Sequence, residues 1–127
     1  MQEDFLHYIW KYQKFNTLQF ISSERESIEV VSPGLHNKNA GPDFFNAKIR
    51  IGGQLWAGNV EIHVKSSDWY AHHHEVDSAY DNVILHVVWE NDAVVYRQNN
   101  TEIPTLEIKS YVDRHLEENY VRLLTSK

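Results

Sequence analysis

Residues 41–65 read GPDFFNAKIRIGGQLWAGNVEIHVK, two strand-forming runs, Phe44 to Ile51 and Leu55 to Lys65, joined at Gly52-Gly53. A Gly-Gly pair between such runs predicts a tight hairpin turn, because the favoured turns need positive φ at their centre. Successive strand residues point to opposite faces of a sheet. In the second arm Val60, Ile62 and Val64 therefore share one face and Glu61, His63 and Lys65 the other. In the first arm Phe45, Ala47, Ile49 and Ile51 form the apolar face, and Pro42-Asp43 leads into it.

Register decides whether Asp43 meets Glu61. If Ile51 and Gln54 flank a two-residue turn, regular pairing sets Asp43 opposite Ile62, on the apolar parity. One extra residue corrects this, and a bulge at Ala57-Gly58-Asn59, where glycine tolerates the backbone angles, or an irregular start at Gly41, is expected.

Outward from the hairpin, Phe5, Tyr8, Ile9, Trp10 and Tyr12 recur at helical spacing, with acids first and lysines last. They predict an amphipathic helix from Glu3 to Phe15. LQFIS and SIEVV, separated by SERE, read as a second hairpin, and LHNKNAGP as the loop that delivers Asp43. Ser66 to Asp81 has the length of a crossover, with a short helix starting near Ser67 or Asp68. NVILHVVW, apolar almost throughout, predicts a central strand buried on both faces. AVVY and PTLEI continue the sheet, and Tyr111 to Leu124, with Val112, Leu116, Tyr120 and Leu123 in phase, closes the chain as a helix. The expected fold is α/β (α+β): one domain over residues 1–127, a central mixed sheet with an N-terminal hairpin, flanked by N- and C-terminal helices.

At 127 residues, 42% hydrophobic, the chain can bury one core, which excludes a disordered chain. It has no apolar run long enough to span a bilayer and no secretory leader pattern, so no membrane association and a cytoplasmic setting are expected. The absence of cysteine removes disulfides and thiolate ligands, leaving Asp, Glu and His to bind any metal. A formal charge of −6 argues against broad non-specific DNA binding, although Lys48, Arg50 and Lys65 lie close to the acids in sequence.

Pro42-Asp43, seventeen residues, then Glu61 on the neighbouring strand resembles the P-D-(D/E)-X-K phosphodiesterase superfamily over about Ser27 to Trp89. The resemblance implies a restriction-endonuclease-like fold, nucleic acid as partner, and Asp43 and Glu61 as ligands of Mg2+ or Mn2+. His63 stands at the superfamily's lysine position and becomes a base or an extra metal ligand, with Lys65 as electrostatic support. The chemistry has its own logic: a phosphodiester is anionic with a poor leaving group, so a site needs a hard cation and carboxylates to hold it. The alternative is that Asp43 caps its loop and Glu61 lies on a solvated sheet face, in a non-catalytic binding or scaffold module.

SSDWYAHHHEVDSAYDN offers a second set of donors, with Asp68 four residues before His72 and Asp77 three after His74. These suit zinc or manganese; the competing reading is a solvent-facing turn whose histidines stack on Trp69 and Tyr70, with Asp68 capping the crossover. His86 interrupts an apolar strand and approaches His63 if their strands pair. A third reading gives His72 and His74 a structural zinc.

Taken together, EDFLHYIWKYQKF, SPG, N-x-N-A-GPDF, G-x-VEIH, SSDW, D-x-AYDNVILHVVW and IPTLE resemble an uncharacterised bacterial domain-of-unknown-function family. Its members are generally longer, so the resemblance implies an N-terminal portion or a shortened member in a bacterial context.

Overall fold

The computed structural model describes residues 1–125. The chain runs α1 (Glu3–Tyr12), β1 (Phe20–Ile21), β2 (Ser27–Ser32), β3 (Leu35–His36), β4 (Phe44–Ile51), β5 (Gln54–Lys65), α2 (Asp68–Ala71), β6 (Val83–Glu90), β7 (Thr105–Glu107) and α3 (Leu116–Thr125). Short 3₁₀ turns lie at His74–Val76, Ser78–Tyr80 and Lys109–Tyr111. The strands form one sheet in the order β1-β2-β4-β5-β6-β7, with β3 beside β4. Pairing is antiparallel as far as β5 and parallel from β5 to β6 and β7. This is a mixed α+β fold with a central mixed sheet and flanking helices.

Helix α1 buries Phe5, Leu6, Ile9 and Trp10 in the core that it shares with Phe44, Val60, Ile62, Leu85 and Val87. It stops at Tyr12, short of Phe15. Gln13 adopts φ 51, and its N–H turns back to the carbonyls of Ile9 and Trp10, a left-handed cap of the kind that ends helices.

The β4–β5 hairpin turns at Gly52 and Gly53, with φ 59 and 87. Near the turn Ile51 pairs with Gln54 and Ala47 with Gly58, but beyond it Phe44 pairs with Val60. Three steps on β4 match two on β5, so the extra residue belongs to β4 rather than to Ala57-Gly58-Asn59. Asn46 takes the left-handed conformation, φ 59, which asparagine tolerates better than most residues. Its N–H donates to Asn59 Oδ1 at 3.2 Å. As a result Phe44, not Phe45, enters the core beside Ala47, Ile49 and Ile51. Continuing that register sets Asp43 opposite Glu61.

Gly58 matters for a different reason. A Cβ there would lie 2.8 Å from the Asn82 carbonyl oxygen and 2.5 Å from Ile84 Cγ2, so glycine permits β6 to approach. Strand β6 lies between β5 and β7 with Val83, Leu85, His86, Val87 and Val88 buried, as its apolar run predicts.

The face of β5 carrying Glu61 and His63 is not solvated. The crossover after β5 folds over it, and Trp69, Tyr80, Val83, Val95 and Ile103 form a second apolar cluster. AVVY is not a strand of the sheet. Tyr96 makes an isolated bridge to Glu102 while Val95 drops into that cluster. PTLEI does supply a sheet strand, β7. The last helix starts at Leu116 rather than Tyr111, because Asp113 Oδ1 accepts the His115 N–H at 2.7 Å and forms a turn first. No helix among the described residues is long and apolar enough to cross a membrane.

Candidate metal centre

The bulge brings Asp43 and Glu61 together by reciprocal bonds. Asp43 N–H donates to Glu61 Oε1 at 3.1 Å, and Ile62 N–H donates to Asp43 Oδ2 at 2.8 Å. Each carboxylate thereby spends one oxygen on backbone; of the other two, Glu61 Oε2 turns toward the histidines and Asp43 Oδ1 toward His7 on α1.

Around the free oxygen of Glu61 stand imidazoles from two elements. Glu61 Oε2 lies 2.9 Å from His74 Nε2 and 3.3 Å from His63 Nε2. His63 comes from β5, two residues after Glu61 on the same face; His72 and His74 come from the crossover. Ring nitrogens of His63, His72 and His74 lie within 4.8 Å of one another. Behind them His63 Nδ1 meets His86 Nε2 at 2.7 Å, because β5 and β6 pair with Glu61 beside His86. His63 Nε2 faces His72 Nδ1 at 3.2 Å.

Aromatic walls hold this cluster. Tyr80 stacks on His74 with centroids 3.7 Å apart, and Trp69 packs edge-on against both His74 and His86. Glu61 is 4% exposed, His63 1% and His86 0%, whereas His72 is exposed and marks the open side.

Burial sets the charges. The Glu61 carboxyl is pushed up to about 10, first by burial and then by the charge of Asp43. Burial also works against ionising Asp43, yet the contacts with His7 and Glu61 and the Ile62 N–H hold it below the usual carboxylate range. The acids therefore share one proton, as two carboxylates in contact must. Burial lowers His63 to about 3 and His74 to about 4, with neighbouring imidazoles adding to the effect, and drives His86 well down. These rings are neutral at pH 7, the form that binds metal.

Among the described residues neither nitrogen of His74 has a hydrogen-bond partner, although Nε2 almost touches Glu61. A buried polar atom left unsatisfied costs about 1–3 kcal/mol and calls for an ion or water. Donor atoms of one carboxylate and three imidazoles, gathered within about 3–5 Å with His74 lacking a hydrogen bond among the described residues, fit a divalent transition metal.

Of the residues singled out in the sequence, Asp43, Glu61 and His63 meet here, joined by His72, His74 and His86. Lys65 is exposed at the end of β5 and makes no ion pair or side-chain hydrogen bond among the described residues. Asp77 caps the Ser78–Tyr80 turn by accepting the Ala79 N–H, and Asp68, at the start of α2, accepts the Lys65 N–H. Glu3 and His7, four residues apart on α1, also reach Asp43, with His7 Nε2 3.5 Å from Asp43 Oδ1. The acid–histidine spacing was visible in sequence, but nothing there said which helix face would meet the end of β4.

A family model described as "Protein of unknown function (DUF2851)" matches residues 3–127. No curated protein and no solved structure matches the chain.

Proposed function

The chain belongs to the DUF2851 family, and from its site we propose a metal-dependent phosphodiester hydrolase, nuclease-like, with Asp43, Glu61, His63, His72 and His74 as the metal-binding set. The observation that carries this reading is the free oxygen of Glu61, 2.9 and 3.3 Å from two neutral imidazole nitrogens. Between the two ions suggested by the superfamily resemblance, Mn2+ suits this donor set better than Mg2+, which favours oxygen ligands; zinc suits it as well. When bound, the ion supplies positive charge against the phosphate and lowers the pKa of water.

The protein's own residues do the rest. His86 takes one nitrogen of His63, so that if Nδ1–H donates to His86, Nε2 presents its lone pair inward. Both nitrogens of His63 thus face other imidazoles, which favours the ligand role over that of a base exchanging protons with solvent. Trp69 and Tyr80 exclude water from one side, and exposed His72 sits where substrate enters. Hydrolysis forms a bond from the water oxygen to phosphorus, breaks the bond to the leaving oxygen, and returns the proton to that oxygen.

The P-D-(D/E)-X-K likeness rests on Pro42-Asp43 and Glu61 on adjacent strands of a mixed sheet with a parallel crossover. Nucleic acid as the partner is supported by an open groove of about 1020 Å³ beside the loop that carries Asp43. Lys38, Lys48, Asn37, Asn39, Asn46 and Asn59 line it, cations and amides suited to phosphate and sugar.

The test is cleavage of single- and double-stranded DNA and RNA, and of bis(p-nitrophenyl) phosphate, with Mn2+ and with Mg2+. Manganese-dependent hydrolysis lost in Asp43→Ala is expected. Hydrolysis that survives Asp43→Ala would place the activity elsewhere, and metal binding without hydrolysis of any of these substrates would favour the non-catalytic module.

A further inference from the structure

Among the described residues the imidazole cluster is one of two groups of metal-ligating atoms, and the second lies across Asp43 from the first. Glu3 and His7 occupy the same face of α1, one turn apart, and a carboxylate oxygen or ring nitrogen from each of Glu3, His7 and Asp43 lies within 4.8 Å of the others. His7 Nε2 is 3.5 Å from Asp43 Oδ1 and 3.9 Å from Glu3 Oε1, yet the atom is buried and among the described residues has no hydrogen-bond partner. Asp43 Oδ1 is the oxygen left over after Oδ2 has accepted the Ile62 N–H.

The backing of His7 repeats that of His63. His63 is braced through Nδ1 by His86 at 2.7 Å, and His7 through Nδ1 by His36 Nε2 at 3.2 Å. His36 is itself fixed by stacking on Phe44, with centroids 4.8 Å apart. An imidazole whose far nitrogen meets a polar partner is held in one orientation, which is how proteins aim metal-binding histidines. The same device therefore appears twice, once on each side of the Asp43–Glu61 pair.

We propose that the protein binds two divalent transition-metal ions, the second held by Glu3, His7 and Asp43, with His36 as the positioning residue behind His7. This rests on the reading of the first site in the proposed function. Two carboxylates that share a proton in the metal-free state become ligands on either side of the pair, Glu61 toward the crossover histidines and Asp43 toward α1. The donor set, one imidazole with two carboxylates, is richer in oxygen than the first. It would accept manganese with less discrimination against harder ions than the imidazole-rich first site, which suits zinc as well.

The experiment is metal stoichiometry on the full chain, loaded with MnCl2, passed through a desalting column and analysed for metal and protein, with electron paramagnetic resonance of the same samples. The expected result is two manganese ions per chain with a spin-coupled spectrum. His7→Ala should reduce this to one ion with an uncoupled six-line signal. Glu3→Gln, at a partly exposed position that leaves the core intact, should weaken the second ion at least tenfold. One ion in the wild-type protein, or two ions retained in both variants, would overturn the second site while leaving the first. No bound ion at all would overturn both.

Discussion

Asp43 and Glu61 face each other across the β4–β5 ladder because β4 holds one residue more than β5 between Phe44 and Ala47. That residue count, rather than the acids themselves, makes a shared site. Asn46→Val, whose β-branched side chain disfavours the positive φ, would press β4 into regular pairing from the Gly52-Gly53 turn and set Asp43 opposite Ile62, on the other face. That variant should keep its sheet by circular dichroism and lose metal-induced stabilisation. Retained metal stabilisation would show that Asp43 is dispensable.

Glu61→Gln separates the proton from the ion. Since burial and Asp43 keep Glu61 protonated when no metal is present, a neutral amide of the same shape should leave metal-free thermal stability unchanged or slightly higher. The response to metal should disappear. At a free metal concentration of 100 Kd the wild type gains about 2.7 kcal/mol, read as a Tm increase that the variant lacks.

Metal-free stability should peak near pH 6.5. Glu61, raised from 4.5 to about 10, contributes stability fully present below 4.5 and lost as pH rises toward about 10, because the folded state holds a proton that the unfolded chain has released. His63 and His74, lowered from 6.5 to about 3 and about 4, act in the other direction. Their contribution is present above 6.5 and is lost as pH falls toward those values. Between 4.5 and 6.5 the lowered histidines outnumber the acid, so stability rises with pH; above 6.5 stability declines through Glu61 and through His7, which, against burial, its contact with Asp43 holds above 6.5. Saturating zinc or manganese takes the place of the proton and should flatten the alkaline limb. Tm measured from pH 4 to 10, with and without metal, tests both limbs.

The hairpin, the central β6 strand and the α1 core face were legible because each rests on a local signal: paired glycines, an unbroken apolar run, helical spacing. The arm that carries the bulge was not. Gly58 suits a bulge by sequence because glycine tolerates unusual angles, yet its role is to let Asn82 and Ile84 approach, while Asn46 takes the positive φ. The site was half legible. Asp43, Glu61 and His63 stood out by spacing, and His86 by breaking an apolar strand. His72 and His74 form a separate set in the sequence, because their convergence on Glu61 depends on how the crossover folds back over the sheet. Glu3 and His7 depend on where α1 docks, a tertiary fact with no local signature.

His86→Phe should fill the space of the buried ring but remove the nitrogen that orients His63. Metal affinity is then expected to fall about 10–100-fold with the fold preserved. Titration calorimetry with zinc would measure it, and unchanged affinity would reduce His86 to a core residue.

The central claim is that one ion is held between the free oxygen of Glu61 and the imidazoles of His63, His72 and His74. It is tested most directly by anomalous diffraction from a crystal soaked in manganese. The account predicts a peak in bonding contact with Glu61 Oε2 and His63 Nε2; strong anomalous signal elsewhere with none there, and a direct Glu61–His74 hydrogen bond in its place, would contradict it.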